Sequence, residues 1–169
     1  VKGARPLALS AGFIIEEGFP VSLLEKIARS MKLAAAQAGV YIVTGDTKVV
    51  EKGKADKLFI NTSGVGLIPK GLRLSSSFIR PGDAVILSGR LADHGVAVMN
   101  ARNRLGLSGD IKSDAAPLNA MITGALKASR GIRAIRDITR GGLATILNEA
   151  ALSCGLAIEI EETALPVKP

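Results

Sequence analysis

Four residues inside a β-branched run, Gly45-Asp46-Thr47-Lys48 of "IVTGDTKVV" (42–50), set a carboxylate, a hydroxyl and an ammonium side by side. Such a group can hold a divalent cation, a phosphate, or both, because Mg²⁺ prefers hard oxygens and phosphate needs a cation. The same residues also read as a strand bulge, with Gly45 supplying the kink and Asp46 bonding its own backbone. A second group, "DITRGGL" (137–143), lies where a strand-like run meets a strongly amphipathic pattern. Its paired glycines let backbone approach a ligand, the free N–H groups of a helix start attract phosphate oxygens, and Arg140 adds a cation. The competing reading is an ordinary turn in which Asp137 or Thr139 caps the helix. In "ADHGVAVMN" (92–100), Asp93 stands ready either to orient His94 for proton transfer or to cap a helix carrying His94 on its first turn. Cys154 is not read as a nucleophile: with Leu143, Ile146, Leu147 and Ala150 it falls on one apolar helix face.

Composition narrows what these groups can serve. With 169 residues, 47% hydrophobic and 22% charged, the chain suffices for one α/β domain or two small ones. A net charge of +7 suits nucleic acid, anionic metabolites or phosphate-bearing substrates. Nucleic acid is disfavoured by 3% aromatics, no Trp and basic residues that are scattered rather than in runs. One Cys and one His exclude a disulfide framework or a Cys/His zinc site within the chain. No apolar run is long enough for a membrane span and no signal-peptide pattern opens the chain, so a cytoplasmic protein is expected. The usual phosphate signatures, G-x-x-x-x-G-K-[ST] and G-x-G-x-x-G between strand and helix, are missing. The opening without Met and the stop on "ALPVKP" lead us to expect an internal piece of a longer protein.

The elements that must position these residues alternate. "SLLEKIARSMKLAAAQAG" predicts a helix with a capping box, Ser22 with Glu25, and a stop at Gly39. It leads into the strand "VYIVTG", a polar turn "EKGKAD" and a second strand "KLFINTSGVG", the two pairing as a long hairpin. A boundary is expected near 67–71, beyond which "GLRLSSSFIRPGDAVILSG" reads as a connecting strand, a Pro-Gly-Asp turn and a buried strand. Helices follow at 95–104, 118–128 and 142–153, with strands at 131–138 and in "LAIEIEE". The alternation predicts an α/β protein with helices covering sheets.

In this order, "GARPLALSAGFIIEEGFP", "VTGDTKVVEKGKAD", "INTSGVG", "DHGVAVMNARN", "SDAAPLN" and "DITRGGLATILNEAA" resemble the HypE family of hydrogenase maturation proteins. That family belongs to the PurM-like, aminoimidazole ribonucleotide synthetase-related superfamily. The resemblance implies a two-domain α/β architecture with both domains incomplete. Residues 1–67 would be the later part of the ATP-binding, dimerising N-terminal domain, and 68–169 the first part of the C-terminal domain. It implies ATP and Mg²⁺ as cofactors. Gly45, Asp46, Thr47, Lys48, Asp137, Thr139, Arg140 and Gly141 would bind them, with Asp46 and Asp137 near the metal. Lys48 would face the reacting group, and His94 is the other candidate for proton transfer.

The implied reaction is ATP-dependent dehydration of a carbamoyl group, carried on the sulfur of a C-terminal Cys, to a thiocyanate that supplies cyanide for the iron of [NiFe]-hydrogenase. Phosphorylating the carboxamide oxygen needs charge neutralisation by Mg²⁺ and cations. No residue here matches the acceptor Cys, so the chain alone is expected not to turn over. Implied partners are a second copy, a HypF-like carbamoyltransferase and a HypC–HypD-like complex, with neither nucleic acid nor membrane. The alternatives are another PurM-like enzyme, of the thiamine-monophosphate kinase or selenophosphate synthetase kind, and a non-enzymatic scaffold for other maturation proteins.

Overall fold

A computed structural model describes residues 2–102, 105–109 and 111–167. They are mixed α/β, as expected, and fall into two compact units: residues 3–72 with 117–129, and the described residues of 73–116 and from 130 onward, with Lys2. The first unit is built on a three-stranded sheet of order β2-β1-β3, with β1 at Arg5–Glu16, β2 at Tyr41–Val50 and β3 at Leu58–Leu67.

The expected hairpin between β2 and β3 is not formed. The slot between them is taken by β1, a segment to which the sequence reading assigned no element. It pairs parallel with β2 and antiparallel with β3. The physical reason is the helix between β1 and β2: a crossover returns the chain parallel to where it began, which a tight turn cannot do. Pro6 lies near the start of this central strand beside a register shift at Leu7, where a missing ladder donor costs least.

Helix α1, Val21–Gln37, is that crossover. Its capping box does not form: the N-cap is Pro20, two residues before Ser22, and there is no side-chain cap. Pro20 already has the fixed φ of −64°, and its carbonyl accepts from Leu23 and Leu24. The predicted stop holds. Gly39 takes φ +64° and donates to Ala36, while Val40 donates to Ala35, a Schellman ending. Helix α3, Asn119–Ala128, joins this unit, and Asn119 Nδ2 donates to the Ala38 carbonyl at 2.8 Å.

The second unit holds α2 (Asp93–Ala101), α4 (Gly142–Cys154) and a 3-10 turn at Ser76–Phe78 that packs on α4. The α2 helix starts two residues before the expected 95, after Ala92 in the left-handed region (φ 69°); the expected end at Arg104 lies outside the described residues. Along α4 the predicted apolar face is the covered one, with Ile146 and Ala150 buried and Leu143, Leu147 and Cys154 half-buried. The strands expected within 72–89, at 131–138 and in "LAIEIEE" are absent among the described residues, and the segment read as a buried strand exposes Val85 and Ile86. β-propensity extends a backbone, but a ladder needs a neighbour in register. Between two of these segments an isolated backbone bond runs from Ser75 N–H to Arg133 O. The Pro-Gly-Asp turn does form, with Gly82 at φ 86° and Asp83 N–H bonded to Arg80 O.

Candidate functional site

In the first unit the sheet presents Gly45, Asp46, Thr47 and Lys48 in mid-strand on β2, all exposed. A bulge is present, as one reading of the stretch expected, but it falls at Val43: Leu9 pairs with Ile42 and Ser10 with Thr44. Beyond it the register is regular, and Asp46 and Lys48 lie beside Gly12 and Ile14 of β1. Residues two apart on a strand share a face, so the carboxylate and the ammonium project together on the side where Ile14 is 44% exposed. Asp46 Oδ1 accepts from Thr47 N–H at 2.8 Å, so one carboxylate oxygen is partly engaged.

Gly45 has a packing role. A Cβ there would lie 3.3 Å from the Ala11 carbonyl carbon and closer still to its oxygen. In "INTSGVG", Gly64 and Gly66 answer the same need on the other flank of β1: a Cβ would meet Leu9 Cδ2 at 2.9 Å and Arg5 O at 2.7 Å, respectively.

The β2–β3 turn is pinned from β1. Glu16 Oε1 accepts from Gly53 N–H at 2.6 Å and Oε2 from Lys57 N–H at 2.9 Å, while Glu16 N–H donates to Lys57 O. The two backbone N–H groups, that of Gly53 first, hold the Glu16 carboxyl below its ordinary 4.5, with help from the charges of Lys52 and Lys57. This anchor was not anticipated; its signal lay in a Glu ending an apolar run opposite a Lys-rich turn.

In the second unit Asp137, Thr139, Arg140 and Gly141 lead into α4. Neither Asp137 nor Thr139 caps the helix, which has no side-chain cap and Gly141 (φ 81°) as N-cap, so the ordinary capped-turn reading is not met. Gly142 N–H bonds Thr139 O at 3.0 Å, closing the turn. Two successive glycines with positive φ let the backbone reverse there, and a Cβ on Gly141 would also press into the Thr145 side chain, 2.6 Å from its Cβ. Arg136 donates to Glu149 Oε2 at 2.9 Å, tying the segment before Asp137 to α4. His94 sits on the first turn of α2, with Nδ1 2.9 Å from Ser113 Oγ. Ser113 Oγ also accepts from Ala115 N–H. The hydroxyl partner was not anticipated, although Ser113 opens the "SDAAPLN" motif. The Asn100 side chain donates to the Leu107 carbonyl at 3.1 Å and accepts from Leu107 N–H at 2.9 Å.

Among the described residues no three His, Cys, Asp or Glu side chains gather as a metal cage. A single carboxylate such as that of Asp46 suits a cation that keeps mostly water and phosphate oxygens around it, as Mg²⁺ does. No helix among the described residues is long and apolar enough to cross a membrane.

Residues 1–68 match the family model for AIR synthase related protein, N-terminal domain, and 80–169 that for the C-terminal domain. The chain is 53% identical to carbamoyl dehydratase HypE of Rhodobacter capsulatus over 169 residues, covering 100% of this chain and 50% of that protein. It is 55% identical to the protein of that name from Rhizobium leguminosarum bv. viciae, covering 99% and 48%. The chain thus spans about half the length of the curated relatives it matches. Among solved structures it matches Escherichia coli HypE with a TM-score of 0.94 at 49% identity, covering 100% of this chain and 52% of that one. HypE in complex with ATP matches at 0.94 and 47%, covering 99% and 50%, and a HypE–HypF complex at 0.93 and 52%, covering 99% and 55%. Thiamine monophosphate kinase of Aquifex aeolicus, at 0.65 and 20% over 98% of this chain and 55% of that one, shares the fold alone.

Proposed function

The chain belongs to the AIR synthase related family, and from that premise we propose that it is part of a HypE-type carbamoyl dehydratase acting in [NiFe]-hydrogenase maturation. The observation that carries this reading is end-to-end identity of about half to HypE proteins together with a TM-score of 0.94 to HypE bound to ATP. The kinase alternative rests on a likeness in fold only.

In this reading ATP, when bound, supplies the phosphoryl group that lets a carboxamide oxygen leave. Asp46 offers a hard oxygen to Mg²⁺, and Thr47, its N–H held by Asp46, keeps that carboxylate in one rotamer. Lys48, on the same face of β2, puts an ammonium where charge develops on transferring phosphate oxygens. Asp137 offers a second carboxylate, and the uncapped start of α4 with Thr139, Arg140 and Gly141 offers backbone N–H groups and a cation to phosphate. His94, with Nδ1 engaged by Ser113, keeps Nε2 for proton transfer. We assign the protein to the cytoplasm, acting as a homodimer with a HypF-like carbamoyltransferase and a HypC–HypD-like complex. The HypF assignment is supported by the HypE–HypF structure, and the domain limits 1–67 and 68–169 by the family matches either side of 68–80.

The test uses the full-length protein containing this chain, carbamoylated and given Mg-ATP, with loss of water followed by mass spectrometry. Lys48→Ala is expected to slow dehydration with little change in stability, and Asp46→Ala to weaken Mg²⁺-dependent ATP binding. Normal dehydration in both variants would remove β2 from the site.

A further inference from the structure

A shallow cleft of about 350 Å³ in the second unit is lined by Arg73, Arg80, Arg130 and Arg133 around Phe78 and Ile132. None of these residues belongs to the six family motifs quoted above. The lining contains no carboxylate; Asp83 stands beside it and pairs with the guanidinium of Arg133. Four like charges around one hollow repel each other unless an anion joins them.

Two of the four are held without spending their terminal donors. Arg133 Nε alone bonds Asp83, at 3.0 Å to Oδ1 and 2.8 Å to Oδ2, which leaves its outer N–H groups unspent by that pair. Arg73 lies over the Phe78 ring, its guanidinium carbon 5.1 Å from the centroid, a contact that is not itself a hydrogen bond. Asp83 also accepts from Arg80 N–H at 2.8 Å, and this closes the turn that carries Arg80 to the rim. The Arg80 backbone N–H and then the Arg133 side chain hold the Asp83 carboxyl below its ordinary 3.8, so it stays a charged strut at neutral pH. Planar guanidinium forks with free edges recognise phosphate and carboxylate oxygens in pairs.

We propose that this cleft is an oxyanion site, taking a ligand that bears two or more phosphate or carboxylate groups. The hollow is larger than one phosphate needs and falls in the range of small-ligand pockets.

The experiment is calorimetric titration of the full-length protein containing this chain at low ionic strength, with pyrophosphate in one arm and citrate in the other. Saturable one-site binding in either arm is expected, and the arms tell phosphate from carboxylate preference. Arg73→Gln with Arg130→Gln should weaken binding about tenfold or more, since each removes charge-assisted hydrogen bonds. Arg73→Lys with Arg130→Lys, which keeps the charge but not the fork, should lose severalfold. Thermal unfolding confirms that these exposed substitutions leave the fold intact. Three results would overturn the proposal: no binding of either probe, full affinity in either double variant, or affinity lost in Lys48→Ala and kept in the arginine variants.

Discussion

Gly45→Ala separates a packing requirement from a ligand requirement at the center of the GDTK stretch. The added Cβ would sit 3.3 Å from the Ala11 carbonyl carbon and nearer its oxygen, about 1 Å short of an ordinary non-bonded separation. The obstacle is backbone of the central strand, which no rotamer change relieves. Relief requires β2 to move off β1 over the pairs Ala11–Gly45 and Gly12–Asp46. Overpacking of this kind costs about 1–3 kcal/mol, and one or two stretched ladder bonds add about 1 kcal/mol each. We expect a loss of about 2–5 kcal/mol in the absence of any ligand. Urea unfolding gives the total, and hydrogen exchange at β1–β2 amides locates it. Gly124→Ala in α3 is the control: its Cβ would meet nothing within 4 Å, so it should stabilise by about 0.5–1 kcal/mol through helix propensity. If Gly45→Ala unfolds within about 0.5 kcal/mol of the parent and keeps its amide protection, the close-approach reasoning is wrong and Gly45 serves ligand access alone.

Glu16 has a lowered folded pKa, so its contribution to stability is complete above its unfolded value near 4.5 and is lost as pH falls through the folded value. Glu16→Gln should therefore flatten the acid side of the urea-midpoint profile; identical profiles for both proteins would count against the clamp on Gly53 and Lys57. Cys154 is half-buried, with its thiol directed at Ala151 O at 3.6 Å. Cys154→Ala should cost less than about 1 kcal/mol, and rapid stoichiometric labelling of the native thiol would contradict its place on the packed face of α4.

Local signals were legible where one stretch of chain decides the outcome. The α1 stop at Gly39 needs only a glycine in the left-handed region and two bonds back to Ala35 and Ala36. The covered face of α4 follows from spacing, and Ile146 and Ala150 are where that spacing put them. The capping box failed because Pro20, two residues upstream, started the helix first. The hairpin failed because the competitor for both strand edges, β1, lies beyond the helix that precedes β2, and a pattern of alternating residues does not name its partner. Strand-like runs in the second unit stayed unpaired among the described residues for the same reason.

By itself, then, the sequence determined the helices, their faces, the family motifs and the residue types available for holding phosphate and a hard cation. These are properties of neighbours in the chain, set by backbone preference and spacing. Only the tertiary structure decided that Gly45 makes room for Ala11, that Glu16 clamps a turn 37 and 41 residues away, and that Ser113 meets His94 across 19 residues. It alone gathered Arg73, Arg80, Arg130 and Arg133 around one hollow. Such contacts depend on which surfaces are pressed together once apolar area is buried, and that information is spread over the whole chain rather than written at any one place in it.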